Sequence, residues 1–193
     1  VDPDEDAPYD RPNLSKDYLA GSAPEAWIPL RPAGFYAEHG IERVVDRATS
    51  IDTASRTIEL ESGARLEYGA ALLAPGATPR RLDVPGADAP HVHVLRSLAD
   101  CRALIRSASS ARSAVLLGAG FVGMEAAASL RARGVDVTVV APEAVPFERA
   151  LGAELGGLLR ETHERNGVRF RLGHTAPVDR PGRRDAGGLQ AVC

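Results

Sequence analysis

No apolar run in this chain approaches the roughly 18 residues that a helix needs to cross a bilayer. Nor does a basic stretch followed by an apolar one open it, as a secretion signal would. Cysteine is nearly missing, with only Cys101 and Cys193. They form neither a C-x-x-C nor a C-x4-C pair, so no redox dithiol or zinc site is encoded locally. A reduced, cytoplasmic setting is the expectation that follows. Excess charge is absent as well: the net charge is −3 and no basic stripe occurs, which removes the usual support for nucleic-acid binding. Lysine is scarcer still. Lys16 is the only one, and the remaining strongly basic residues are all arginine. A chain that avoids lysine so heavily points to a site wanting a compact ammonium rather than a planar guanidinium fork.

What is present describes a globular protein. With 193 residues, 44% hydrophobic and 25% charged, the chain can build one core or two small ones. It begins at Val1 and stops at Cys193 after a Gly/Arg/Pro-rich stretch, 180–188, expected to be loop. Both ends read as cut.

The punctuation predicts a short helix over 14–20, capped by Asn13 or Ser15, and another over 32–39 ended by Gly40. Strands are expected at 42–47, 57–60 and 65–68, the last two joined as a hairpin by Ser62-Gly63. A further strand is expected at 70–73, ending in Ala74-Pro75-Gly76, and a helix at 98–105. From Ala114 the pattern turns regular: strand 114–117, a helix to Arg133 with Gly134 after it, strand 135–140, helix 152–166 and strand 168–172. That is β-α-β-α-β, half of a doubly wound parallel sheet. The Ser/Ala/Arg stretch at 107–113 suits a linker between two parts.

The turn after the first of these strands reads Gly118-Ala119-Gly120-Phe121-Val122-Gly123, a G-x-G-x-x-G in its required strand–turn–helix setting. Gly118 permits the tight turn, Gly120 lets backbone approach a pyrophosphate, and Gly123 lets helix pack near strand. Free N–H groups and the dipole at the helix start attract phosphate. The adenosine ribose of a dinucleotide should be met after the second strand, where an acid takes the 2′-hydroxyl and an arginine a 2′-phosphate. Ala141 ends that strand, Glu143 follows two positions on, and no arginine occurs between Asp136 and Phe147. This favours NADH over NADPH, with Glu143 as ribose ligand or else as a solvated loop acid. More than a hundred residues precede the turn, which is unusual for a one-domain dinucleotide enzyme.

Three stretches read together carry a resemblance: Pro8-Tyr9-Asp10-Arg11-Pro12-Asn13-Leu14-Ser15-Lys16-Asp17-Tyr18-Leu19, Leu73-Ala74-Pro75-Gly76-Ala77-Thr78-Pro79, and the run from Gly118 to Glu125. Over about residues 1–173 the chain resembles the FAD-dependent pyridine-nucleotide oxidoreductases, in the branch of ferredoxin/rubredoxin reductases and apoptosis-inducing-factor-like proteins. The disulfide-reductase branch fits less well. The resemblance implies an α/β, Rossmann-like fold: a partial FAD-binding domain over 1–110 lacking its first βαβ unit, and an inserted doubly wound NAD(P)-binding domain over 111–193, truncated at its end.

The resemblance also implies roles. Arg11 and Lys16 would lie at the flavin, Lys16 near the isoalloxazine and paired with Glu125, where an ammonium stabilises charge developing on the reduced ring. Ala48 and Ala74 would touch FAD through backbone, Gly76 would allow close approach, and Arg96 would reach it too. Phe121 would lie beside the nicotinamide pocket, and Val122 in the same turn would be a further cofactor-binding residue. Phe121 as plain helix-start packing, and Arg11 and Arg96 as surface charges, are the bland alternatives. Hydride would pass from NADH to flavin N5, and electrons would leave singly to an iron–sulfur partner, a ferredoxin or Rieske-type protein. An active reductase, a non-enzymatic NADH-binding or signalling module and an inactive truncated fragment are the three functional readings. His91-Val92-His93 offers two imidazoles but no third metal ligand, and Asp2 to Asp6 reads as a solvated acidic loop rather than a calcium site.

Overall fold

Ala114 and Leu116 are buried while the residues between them are half-covered, and Val137, Val139 and Ala141 are buried in the same alternating way. Strands covered on both faces belong inside a parallel sheet with helices over it, and that is what forms. The computed structural model describes residues 1–174 and, as strand backbone, 188–192. In chain order the elements are α1 (Asp17–Ala20), α2 (Phe35–Glu38), β1 (Ala48–Asp52), β2 (Thr57–Leu60), β3 (Arg65–Glu67), β4 (Val92–Val94), α3 (Leu98–Ala108), β5 (Ser113–Leu117), α4 (Phe121–Ala132), β6 (Asp136–Ala141), α5 (Glu148–Arg165), β7 (Arg169–Leu172) and β8 (Gly188–Val192). A 3-10 turn, Arg11–Ser15, precedes α1.

Two compact units result, Val1–Tyr9 with Pro29–Ala77, and Asp10–Ile28 with Thr78–Cys193. They follow packing, and do not coincide with the cofactor-based division at residue 110. The first unit holds α2 and an antiparallel sheet, β1-β2-β3. Its hairpin turns at Gly63, whose φ of 87° is the left-handed conformation expected of the Ser62-Gly63 turn.

The second unit holds a five-stranded parallel sheet in the order β4-β8-β5-β6-β7. The β-α-β-α-β run is present as read, with β6 and then β7 added on one side of β5 and β8 on the other. The sheet therefore reverses direction of growth at β5, and the crevice beyond the strand ends at such a point is where α/β sheets take ligands. Gly118 leaves β5 at that end with φ 114°. Its N–H donates to the Val140 carbonyl at 2.9 Å, which ties the turn to β6. α4 then runs back over the sheet, burying Met124, Ala126, Ala127 and Leu130. Its alanines lose almost no side-chain entropy on ordering, and they permit close packing. α4 packs on β5 and β6 and also against α1 and the 3-10 turn. Leu19 and Ile28, from the segment before residue 29, are fully buried.

Several expectations are corrected. The helix read over 14–20 is two pieces, broken at Lys16 with φ −113° and ψ −124°. Neither Asn13 nor Ser15 is its cap residue, although Asn13 Oδ1 accepts from the Tyr18 N–H at 3.1 Å. The helix over 32–39 shortens to four residues because Gly34, at φ 90°, turns the chain just before it. The strand expected at 42–47 begins at Ala48, because β2 ends at Leu60, opposite Ala48. Residues 70–73 form no strand. No strand lies beside them among the described residues, and Leu72 and Leu73 stand 92% and 69% exposed. The stretch 107–113 is not a free linker, since α3 runs to Ala108 and β5 starts at Ser113. The loop expected at 180–187 lies outside the described residues, and Gly188 already belongs to β8.

Candidate cofactor site

Lys16 sits at the break between two helical pieces, and α4 packs against both. Its Nζ lies 2.7 Å from Glu125 Oε2 and 3.2 Å from the Pro12 carbonyl. Ser15 Oγ donates to the same Oε2 at 2.6 Å. One turn further along α4, the Ser129 hydroxyl reaches the Ser15 carbonyl at 2.7 Å and the Lys16 carbonyl at 3.2 Å. The ion pair borders a concavity of about 290 Å³ walled by Arg11, Pro12, Leu14, Ser15, Leu95, Arg96 and Val122 as well. Arg11 donates through Nη1 to the Arg96 carbonyl, which joins the 3-10 turn to the segment entering α3. That segment is tied to the helix locally, since Ser97 and Asp100 form a reciprocal capping box at the start of α3. Thus Arg11, Lys16, Arg96 and Glu125, expected at a flavin, surround one space, and Val122 of the Gly turn borders it as well.

A second concavity, of about 260 Å³, opens at the other end of the same helix start. Gly118, Ala119, Gly120, Phe121, Pro142, Glu143, Phe147, Glu148, Arg149 and Ala150 wall it. Among the described residues no side chain caps α4, so its first turn presents the N–H groups that a helix start leaves without intrahelical partners. A Cβ built on Gly120 meets no protein atom within 4 Å. The missing side chain therefore leaves open space above the turn, which fits a pyrophosphate approaching the backbone. Phe121 is 55% exposed, and its ring lies 5.0 Å from that of Phe147. Phe147 itself adopts φ 58°, a left-handed conformation costly for a bulky residue, while its N–H donates to the Ala119 carbonyl at 2.9 Å. The backbone of the loop after β6 is thereby tied to the Gly turn.

Glu143 borders this second space, with its carboxylate 3.6 Å from Arg149 Nε. Arg149 follows the arginine-free stretch 136–147, and only the fold of the loop into α5 brings it back to Glu143. Ser15, Ser129 and Phe147 were also missed. For Ser129 a signal existed, its i, i+4 spacing from Glu125. For Ser15 and Phe147 none did. Gly123 is buried within α4. Ala48, Ala74 and Gly76 belong to the first compact unit, where Ala48 opens β1 at a register shift and Gly76 has φ 70°.

Cys101 is fully buried on α3, and its thiol donates to the Leu14 carbonyl at 3.2 Å. Burial pushes its pKa up to about 12, so it stays a thiol and is no redox nucleophile. Tyr18, Glu25 and Arg102 form a separate cluster: the tyrosine hydroxyl donates to Glu25, and Arg102 Nη2 donates to it at 2.6 Å. Burial first, and then the bond to Glu25, raise the Tyr18 pKa to about 12. Among the described residues no helix is long and apolar enough to span a membrane.

Comparison with known proteins identifies the family. The family model described as pyridine nucleotide-disulphide oxidoreductase matches residues 1–186. The chain is 40% identical over 166 residues to rhodocoxin reductase of Rhodococcus erythropolis, covering 86% of this chain and 39% of that protein. It is 39% identical over 168 residues to apoptosis-inducing factor 3 of Mus musculus, covering 86% of this chain and 27% of the other. The solved ferredoxin reductase for the CYP199A2 system of Rhodopseudomonas palustris superposes with a TM-score of 0.89 at 33% identity, over 98% of this chain and half of that one. The chain thus spans half or less of the length of each of these proteins.

Proposed function

Because the chain belongs to the pyridine nucleotide-disulphide oxidoreductase family, we propose that it is the part of a flavin-dependent NAD(P)H reductase in which the two cofactors meet. The observation that carries this reading is that one helix, α4, serves both spaces. Its first turn borders the Gly118–Gly120 concavity, and one turn later Glu125 holds Lys16 at the other. Residues 1–110 would contribute to an FAD-binding domain and 111–193 to an NAD(P)-binding domain. Bound FAD supplies the conversion between a two-electron hydride donor and one-electron acceptors.

The residues here would do the positioning. The N–H groups at the start of α4 would hold the pyrophosphate of the pyridine nucleotide. Phe121 would flank the nicotinamide, and Glu143 would face the adenosine ribose. The Lys16 ammonium would offer fixed positive charge on the flavin side, and Arg11 and Arg96 would close that end. Ala48, Ala74 and Gly76 would contribute backbone contacts to FAD. The acceptor would be an iron–sulfur protein, a ferredoxin or Rieske-type protein, and the setting the cytoplasm. The similarity to rhodocoxin reductase and to the ferredoxin reductase supports the redox class.

The test is stopped-flow reduction of the flavin in the full-length protein by NADH and by NADPH, followed by turnover with a ferredoxin and an artificial acceptor. Rapid bleaching of the flavin and turnover of both acceptors is the expected result. The similarity to apoptosis-inducing factor 3 favours one other reading, a nucleotide-binding module, whose signature is tight NADH binding without acceptor turnover. Purified alone, the 193-residue chain should not retain flavin at one per chain; a full flavin absorption band would refute the shared-cofactor reading.

A further inference from the structure

Ser15 is buried, with 6% of its surface exposed, yet it carries a hydroxyl on the wall of the first concavity. That hydroxyl has one proton and two acceptors in reach, the Glu125 carboxylate at 2.6 Å and the Pro12 carbonyl at 3.2 Å. The charged, nearer oxygen takes it, because charge-assisted hydrogen bonds are the shorter and stronger kind. Glu125 Oε2 therefore accepts from two donors at once, a hydroxyl and the Lys16 ammonium. The two donors differ in how firmly they are held. Lys16 is a long side chain, 48% exposed, and an ion pair that open fixes geometry only weakly. Ser15 is short and buried, with its carbonyl pinned by Ser129 from α4.

We propose that Ser15 is a positioning residue: its hydroxyl orients the Glu125 carboxylate, which in turn holds the Lys16 ammonium at the mouth of the flavin-side concavity. The functional consequence rests on the reading above that Lys16 faces the flavin. Ser129 completes the device from the backbone side. Glu125 and Ser129, four residues apart on one face of α4, hold Lys16 by side chain and by main chain respectively. The helix that begins at the nucleotide turn thereby sets the position of the only lysine in the chain.

The test uses the full-length protein with Ser15→Ala, Ser15→Cys and Ser15→Thr. The first readout is acetylation of Lys16 by an N-hydroxysuccinimide ester, measured by mass spectrometry of its peptide, and the second is the rate of flavin reduction by NADH. Ser15→Ala and Ser15→Cys should each raise the acetylation rate about fivefold and slow reduction by a similar factor, the worth of one hydrogen bond. The dissociation constant for NADH should stay within about twofold. Ser15→Thr, which keeps the donor, should restore both rates. Cysteine keeps the volume but only a weak donor, so wild-type behaviour of Ser15→Cys would mean packing alone and overturn the proposal. Unchanged acetylation in Ser15→Ala would overturn it as well. If Lys16→Ala leaves flavin reduction unaltered while Ser15→Ala still speeds acetylation, the positioning role stands and the flavin-side reading of Lys16 fails.

Discussion

Arg149 lies 3.6 Å from Glu143 across the rim of the second concavity, so the acid expected to meet the ribose is already paired with a cation. The Arg149 side chain is 87% exposed, whereas that of Glu143 is mostly covered. An acid selects the 2′-hydroxyl of NADH, and an arginine accepts the 2′-phosphate of NADPH. With Ala141 at the strand end, the site carries one of each, displaced into the loop that follows.

Coenzyme choice should therefore respond to this pair in opposite senses. Arg149→Gln should weaken NADPH about tenfold and leave NADH within about twofold, a shift on the scale of one charged contact. Glu143→Gln should strengthen NADPH relative to NADH. Isothermal titration with 2′,5′-ADP and 5′-ADP reads the effect without turnover. Equal responses of the two nucleotides to Arg149→Gln would remove Arg149 from the site.

Lys16→Ala should act on chemistry more than on nucleotide binding. Flavin reduction in the full-length protein should slow about tenfold to hundredfold, with the NADH dissociation constant moved less than about twofold. Single-turnover stopped flow separates the two quantities. An unchanged reduction rate would show that the ammonium contributes nothing at the flavin.

Two glycines should part company. A Cβ on Gly156 would stand 2.5 Å from the Pro146 carbonyl oxygen and 2.6 Å from Val145 Cγ2, where α5 packs on the loop before it. Gly156→Ala should lower stability by about 1–3 kcal/mol through overpacking, read from the urea midpoint. Gly120→Ala meets open space and should leave that midpoint nearly unchanged while abolishing nucleotide binding. Destabilisation by Gly120→Ala with binding intact would reverse the assignment.

Stability should fall on mild acidification. Burial holds the pKa of His93 and of His163 below the ordinary imidazole value; for His93, Asp100 opposes the shift, and His91 and Arg106 add to it. The unfolded chain then binds protons on these rings more readily than the folded one, so their contribution is complete above about pH 6.5 and is lost as pH falls through the lower folded values. Urea midpoints at about pH 8 and about pH 5.5 bracket this window above the carboxylate range. His163→Gln should flatten the dependence. A profile as steep as wild type in that variant would exclude His163 as a contributor.

Legibility in the sequence followed the range of the interactions. The β5-turn-α4-β6 unit was readable because each piece is short-range: alternating burial within a strand, glycines in a turn, alanines along a helix. Gly152, read as the start of a helix, indeed interrupts α5 with φ 78°, because a glycine takes that conformation without cost. The strand at 70–73 was not readable in the same way. Its apolar letters suit a strand, but a strand exists only with a partner to bond, and Leu72 and Leu73 have none beside them among the described residues. The break at Lys16 was equally hidden. Local spacing asks for one helix over 14–20, and the bonds from Ser129 and Glu125 that hold the broken form come from more than a hundred residues away.

The sequence by itself determined the chemistry available: a glycine turn open to phosphate, a single ammonium, a carboxylate five residues after Gly120, and an acid beyond the second strand. It determined the parallel α/β class too, since hydrophobic periodicity and turn residues act over a few residues at a time. Only the tertiary structure decided which of these groups meet. It placed Ser15 and Ser129 around the Lys16–Glu125 pair that the family resemblance had implied, and returned Arg149 to Glu143. Such pairings depend on how α4 and the loop into α5 pack, and packing distances are not written in sequence spacing.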